Sequence, residues 1–212
     1  MIVKGNQDTI SWYDNNAEKY ASDTDSVTFE GTAQEFLSKL QPNPKVLDAG
    51  CGSGRDTATL SELGAEVIGI DLSSGLIQVA KAKQPHLTFV HGSFLDIPFP
   101  DNSFDGVWSH ASLVHLDTLD EVKTALQEFN RVLKSGGCLY VLVKKQTGTD
   151  KTAVVTDSLS NHDRFFRYYT EDELAGLLKI TGYKLDSMLT EDDVHGRDEV
   201  KWIKVVAQKI VN

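Results

Sequence analysis

Val46-Leu47-Asp48-Ala49-Gly50-Cys51-Gly52-Ser53-Gly54 is the stretch on which the reading of this chain turns. A short apolar run enters a turn with glycine at every second position, and helical character begins near Arg55. Such a turn lets the backbone reverse sharply and approach a ligand that any Cβ would hold off. The next apolar run, Ala65-Glu66-Val67-Ile68-Gly69-Ile70, closes on Asp71. A carboxylate about 20 residues after the glycines, at the end of the second strand, is placed to accept hydrogen bonds from ribose hydroxyls. The pair of stretches therefore points to an adenosine-containing cofactor.

A nicotinamide dinucleotide fits this loop poorly. Its fingerprint, Gly-x-Gly-x-x-Gly, aims a helix N-terminus at a pyrophosphate. Here the third glycine comes one residue early, at Gly54, and Arg55 stands where it is needed. Asp48, ahead of the first glycine, would repel a pyrophosphate and suits a ligand with positive charge and donor groups. S-adenosylmethionine, with a sulfonium and an ammonium, is such a ligand.

At this point the chain resembles the class I S-adenosylmethionine-dependent methyltransferases, whose first two motifs are similar to Val46–Gly54 and Asp71. Residues 93–108 (Ser-Phe-Leu-Asp-Ile-Pro-Phe-Pro-Asp-Asn-Ser-Phe-Asp-Gly-Val-Trp) are similar to the family's adenine loop and fourth strand. Residues 129–137 (Phe-Asn-Arg-Val-Leu-Lys-Ser-Gly-Gly) resemble the helix and turn that lead into its fifth strand. The likeness is close over roughly residues 30–145 and looser elsewhere. It implies an α/β fold, a Rossmann-like three-layer sandwich whose seven-stranded, mainly parallel sheet has an antiparallel strand at one edge. It also implies methyl transfer from S-adenosyl-L-methionine, leaving S-adenosyl-L-homocysteine.

Composition sets the outer bounds. At 212 residues the chain reads as a single domain, 1–212, long enough to bury a core. A net charge of −10, with no Lys/Arg-rich run, argues against a nucleic-acid partner. Cys51 and Cys138 lack metal or redox spacing and read as small buried thiols in a reducing compartment. Neither a signal-peptide core nor a membrane-span-length apolar stretch is visible, so a cytoplasmic protein without membrane contact is expected, as monomer or homodimer.

Periodicity divides the chain. Residues 1–30 are polar and aromatic without a clear stripe, and the resemblance makes them a lid over the cofactor. Residues 31–145 form the cofactor-binding core. Strands are expected at 45–48, 66–70, 87–91, 104–109 and 138–144, with helices at about 33–40, 56–63, 74–83 and 119–134, the last ended by Gly136 and Gly137. Residues 146–169 read as a long connection without regular structure, which suggests a substrate loop. Thr170 and Glu173 then cap a helix, and β-like runs at 184–189 and 202–208 close the chain.

The candidate cofactor residues follow from motif positions. Gly50, Gly52 and Gly54 bring loop backbone to the methionine part of the ligand, Cys51 within the same loop is counted among the cofactor residues, and Asp71 is the ribose ligand. Asp48 either orders the loop or reaches the ligand ammonium through water. Arg55 either pairs with the ligand carboxylate or is a solvated surface arginine. Leu72 reads as cofactor wall or as core. Many relatives place an acid where this chain has Ser93; Ser93 and Phe94 are expected to meet the adenine, with Asp96 as the alternative. Tyr20, in the lid, and Ser109, at the end of the fourth strand, complete the set.

The acceptor site is expected just after that strand, where ligands of open α/β sheets gather. The resemblance places an active-site histidine at His115, a general base if the nucleophile is a hydroxyl. The plainer reading is a histidine that packs at a helix start and bonds a backbone carbonyl. Tyr13, His110, Arg164, Arg167, Tyr168 and Arg197 are the candidate acceptor contacts, and cations among aromatics in an acidic chain suggest a small anionic or aromatic acceptor. No metal site is expected. The leading expectation is a small-molecule O- or N-methyltransferase. A protein methyltransferase, a catalytically silent cofactor-binding module and a nicotinamide dehydrogenase are the alternatives.

Overall fold

The apolar run into the glycine loop forms β1 (Lys45–Ala49), in the middle of a seven-stranded sheet. The structure is a computed structural model that describes residues 5–157, 162–194 and 196–211. The other strands of this sheet are β2 (Glu66–Asp71), β3 (Thr88–His91), β4 (Phe104–His110), β5 (Leu133–Lys144), β8 (Tyr183–Asp192) and β9 (Lys201–Lys209). Their order is β3-β2-β1-β4-β5-β9-β8, with β9 antiparallel to both neighbours and the remaining pairs parallel. The order reverses between β1 and β4, which opens a crevice at their carboxyl ends. This is the expected three-layer architecture.

Adjacent side chains of β1 show why the sheet is covered on both sides. Val46 packs in a core with Phe36 and Leu60, from α3 (Glu30–Leu37) and α4 (Arg55–Glu62). Leu47 points the other way, into a larger core with Val122, Leu126 and Phe129 of α6 (Leu119–Val132) and Leu174 and Leu178 of α7 (Glu171–Ile180). The pleat thus distributes one apolar run between two layers. Ser73 caps α5 (Ser74–Lys83) by accepting from Leu76 N at 3.1 Å.

Three expectations need correction. Residues 5–24 are helical, as α1 (Gly5–Asn15) and α2 (Ala17–Thr24), although they carry no clean apolar stripe. They are held by tertiary contacts instead: Tyr13 and Ala17 pack on Leu76, and Asp14 Oδ1 accepts from Ser73 Oγ at 2.7 Å and Gly75 N at 2.9 Å. The 146–169 connection contains an antiparallel hairpin, β6 (Thr152–Asp157) and β7 (His162–Arg167). Both faces of β7 are buried, so no alternation marked it; the part of the connection at 158–161 lies outside the described residues. Finally, α6 stops at Val132 rather than at the glycine pair, because Ser103 N takes the Val132 carbonyl at 2.8 Å and Leu133 pairs with Phe104. Gly136 and Gly137 fall inside β5, at its irregularity opposite Phe104 and Gly106.

Candidate active site

The crevice opens into a cleft floored by the ends of β1, β2, β4 and β5 and roofed by α1, α2 and β7. At its base Gly50 has φ +84°, and a Cβ there would lie 2.3 Å from Ser112 Cβ. Only glycine fits that position. A Cβ on Gly52 would meet nothing within 4 Å, so its backbone faces open space in the cleft. Gly52 N donates to Asp71 Oδ2 at 2.9 Å, and Ser73 N donates to Asp71 Oδ1 at 2.8 Å. Burial raises the Asp71 pKa, while those two N–H groups pull it back. Each carboxylate oxygen has further lone pairs for donors in the cleft.

Around this cradle the structure gathers Tyr20, Arg55, Leu72, Ser93 and Phe94. Leu72 is a cleft wall rather than core, with 41% of its surface exposed. Asp96 is exposed and does not line the cleft. The Arg55 guanidinium lies over the Phe29 ring at 4.9 Å and donates through Nε to Asp56 Oδ1 at 2.7 Å.

Three residues assigned to the cofactor lie behind the cleft surface instead. Asp48 is buried and accepts from Thr57 Oγ1 at 2.6 Å, bracing the loop onto α4; burial and the neighbouring Asp56 push its carboxyl up to about 8. Cys51 packs with Ile77, Ala80 and Phe89, and burial pushes its thiol well above the usual range. Ser109 is buried, with Oγ 2.7 Å from Ser112 Oγ. Their side chains hold the loop and the end of β4 in shape.

Asp56 is the network residue that sequence reasoning missed. It accepts from Trp108 Nε1 at 3.0 Å and faces His110 Nδ1 at 3.1 Å. Burial acts to raise its carboxyl, but His110 when its ring is protonated, together with Arg55 and the Trp108 hydrogen bond, outweighs it and holds the pKa low. An acid in the first turn of a helix is ordinary dipole chemistry, so nothing in the sequence marked it. Burial pushes His110 down to about 4. The His110–Asp56 contact is therefore a neutral imidazole beside a carboxylate, and its Nδ1 is not aligned for a hydrogen bond.

The acceptor candidates divide in the same way. His115 lines the cleft, with Nδ1 2.9 Å from the Phe165 carbonyl and Nε2 3.2 Å from the Tyr13 hydroxyl. Tyr13, whose pKa burial raises, also accepts from Arg164 Nη1. His110, Arg164 and Arg197 line the same cleft. Arg197 chelates Asp193 through Nε at 2.9 Å and Nη2 at 2.6 Å. Arg167 is not in the cleft: it points away and donates to the carbonyls of Leu116 and Asp117, pinning the 3₁₀ turn Leu113–His115. Tyr168 lies outside the cleft as well. Lys144, unremarked in the sequence because it ends an apolar strand, reaches in with Nζ 3.3 Å from the Phe166 ring centroid. Among the described residues no group of His, Cys, Asp and Glu is placed to hold a metal ion, and no helix is long and apolar enough to cross a membrane.

Comparisons with known proteins agree with this geometry. Residues 47–141 match a family model described as a methyltransferase domain. A methyltransferase-family protein of Encephalitozoon cuniculi is 30% identical over 196 residues, covering 86% of this chain and 90% of its own length. The demethylmenaquinone methyltransferase of Renibacterium salmoninarum is 37% identical over 100 residues, 47% of this chain; the match spans only 41% of that relative's length. The solved structure of Burkholderia thailandensis 1,6-didemethyltoxoflavin-N1-methyltransferase, with its substrate and S-adenosylhomocysteine bound, superposes with a TM-score of 0.74. It covers 97% of this chain and 87% of that one at 22% identity, a likeness of fold. The chain belongs to the class I S-adenosylmethionine-dependent methyltransferases.

Proposed function

We propose that this protein moves the methyl group of S-adenosylmethionine onto an oxygen or nitrogen atom of a small molecule held beside His115. One observation carries the reading: the Asp71–Gly52 cradle and the His115–Tyr13 pair line a single cleft. The cradle suits the cofactor because Gly50 and Gly52 present bare backbone and Asp71 keeps acceptor capacity. In this reading Asp71 takes the ribose hydroxyls, Phe94 and Ser93 the adenine, and Arg55 the carboxylate, with Tyr20 and Leu72 as walls. The cofactor brings an activated methyl group on a sulfonium.

The protein's own task is then alignment and exclusion of water. Buried Tyr13, on α1, closes the cleft above His115. A carbonyl oxygen only accepts, so His115 Nδ1 bears the proton and Nε2 is the basic nitrogen. Because the Tyr13 hydroxyl already donates to Nε2, a proton leaving an acceptor hydroxyl reaches His115 by displacing that phenol or by passing through it. A neutral amine acceptor needs no such step before transfer and gives up its proton after it. The names of the relatives, which include methyltransferases for demethylmenaquinone and 1,6-didemethyltoxoflavin, support a small acceptor.

The test is label transfer. Purified protein with methyl-labelled S-adenosylmethionine and a panel of phenols and amines is expected to yield S-adenosylhomocysteine and a labelled small molecule by mass spectrometry. Label found only on added protein, or cofactor binding without any turnover, would overturn the proposal.

A further inference from the structure

At the end of β4 the His110 ring is set among aromatic side chains. The Phe29 centroid lies 4.1 Å away, that of Trp108 5.7 Å and that of Tyr140 6.0 Å, and Trp108 and Tyr140 are themselves stacked at 3.8 Å. The His110 side chain is 7% exposed and lines the cleft. Its two nitrogens are placed differently. Nδ1 is shut away from solvent, 3.1 Å from Asp56 Oδ2. Among the described residues nothing bonds Nε2, which is left as the ring nitrogen available to the cleft. Asp56 is held in place, because Arg55 Nε donates to its Oδ1 at 2.7 Å and Trp108 Nε1 to its Oδ2 at 3.0 Å. A proton on Nδ1 is attracted by this carboxylate even off the hydrogen-bond axis, whereas a lone pair there is repelled. The neutral ring therefore keeps its proton on Nδ1 and offers the lone pair of Nε2 to the cleft. A nearly buried acceptor nitrogen costs free energy until a donor reaches it.

We infer that His110, its tautomer fixed by Asp56, selects the methyl acceptor: Nε2 takes a hydrogen bond from an O–H or N–H on an aromatic ring, as in a phenol or an arylamine. Asp56 acts through His110 and is a positioning residue. The neighbouring rings of Phe29 and Tyr140 suit a flat acceptor. An acceptor that offers only an ether or carboxylate oxygen at this point sets lone pair against lone pair. It leaves Nε2 unpaired, and sites built around a buried polar group discriminate strongly against such analogues. This role is separate from that of His115, whose Nε2 already meets the Tyr13 hydroxyl at 3.2 Å. It rests on the methyl-transfer reading of the cleft.

The experiment is calorimetric titration of protein already saturated with S-adenosylhomocysteine, using 4-methylphenol and 1,4-dimethylbenzene, which exchange a hydroxyl for a methyl group of similar size. The ratio of the two affinities is expected to fall about fivefold to tenfold in His110→Phe, the scale of one net hydrogen bond. It is expected to stay within about threefold in His110→Gln, whose side-chain amide reaches the place of Nε2. S-adenosylhomocysteine affinity within about twofold of wild type reports an intact fold in both variants. Heteronuclear NMR of the wild-type ring is expected to find the proton on Nδ1, and Asp56→Asn is expected to lose that fixed tautomer. An unchanged ratio in His110→Phe, no binding of 4-methylphenol to the wild type, or a wild-type proton on Nε2 would overturn the assignment. Failure of S-adenosylhomocysteine to bind in the first titration is a separate result and removes the cofactor reading itself.

Discussion

The Tyr13 hydroxyl lies 3.2 Å from His115 Nε2, across 102 positions of sequence. The other ring nitrogen is held by the Phe165 carbonyl at 2.9 Å, and Thr9 on α1 accepts the Phe165 N–H at 3.1 Å. The amino-terminal helix, the turn after β4 and the β7 hairpin strand therefore meet at one imidazole. Its tautomer and orientation are fixed by backbone, which leaves the basic nitrogen facing the lid.

For a hydroxyl acceptor, His115→Ala is expected to lower kcat by about 100-fold or more, the usual share of a general base. Cofactor affinity should stay within about threefold, because the His115 ring bonds Tyr13 and the Phe165 carbonyl while Asp71 is held by Gly52 N and Ser73 N. Tyr13→Phe should cost less in kcat and should shift the acidic limb of the pH–rate profile, since the phenol that occupies Nε2 is gone. Unchanged kcat in His115→Ala would leave the histidine as a packing residue.

His110 is held near a pKa of about 4 by burial, against an ordinary value of 6.5. The folded state thus favours the neutral ring, and its contribution is fully present above about pH 6.5 and is lost as pH falls toward 4. The gap corresponds to roughly 3 kcal/mol at full effect. Proton NMR of the His110 ring should show no titration between pH 7 and 5, and chemical denaturation should show stability falling over the same interval. A His110 midpoint near 6.5 would contradict the buried neutral assignment.

Gly50 and Gly64 both have positive φ, at +84° and +97°, but only Gly50 has a neighbour in the way of a Cβ. Gly64→Ala should therefore cost about 1–2 kcal/mol, the conformational penalty alone. Gly50→Ala should cost several kcal/mol more, because the Ser112 backbone must move, and should remove cofactor binding. Thermal unfolding of the two variants side by side checks this, and equal melting temperatures would count against the close approach of Gly50 to Ser112.

The strand–loop–strand unit ending at Asp71 was readable because its signals are local: an apolar run, alternate glycines and one acid at fixed spacing. The mainly parallel, seven-stranded sheet with its antiparallel edge followed from the resemblance that this unit and the later motifs carry, whereas the strand order came from the structure. The α1–α2 lid was not readable as helix, since it is held by Asp14 on the cap of α5 and by Tyr13 on Leu76, contacts that leave no periodic stripe. Hairpin β6–β7 was hidden for a related reason, as Phe165 and Phe166 are both buried and erase the alternation of a half-exposed strand. At the site, Asp71 and His115 had motif positions, whereas Asp56 and Lys144 became visible only through what surrounds them. Arg167 misled because composition reports a cation but not the direction in which it points.

The most direct test is calorimetry of the purified protein with S-adenosylhomocysteine. One-to-one saturable binding is predicted, weakened more than tenfold by Asp71→Ala through loss of charge-assisted bonds worth about 1.5–3 kcal/mol each. Absence of heat in the wild type, or equal affinity in the two proteins, would contradict the assignment of this cleft to the methyl donor.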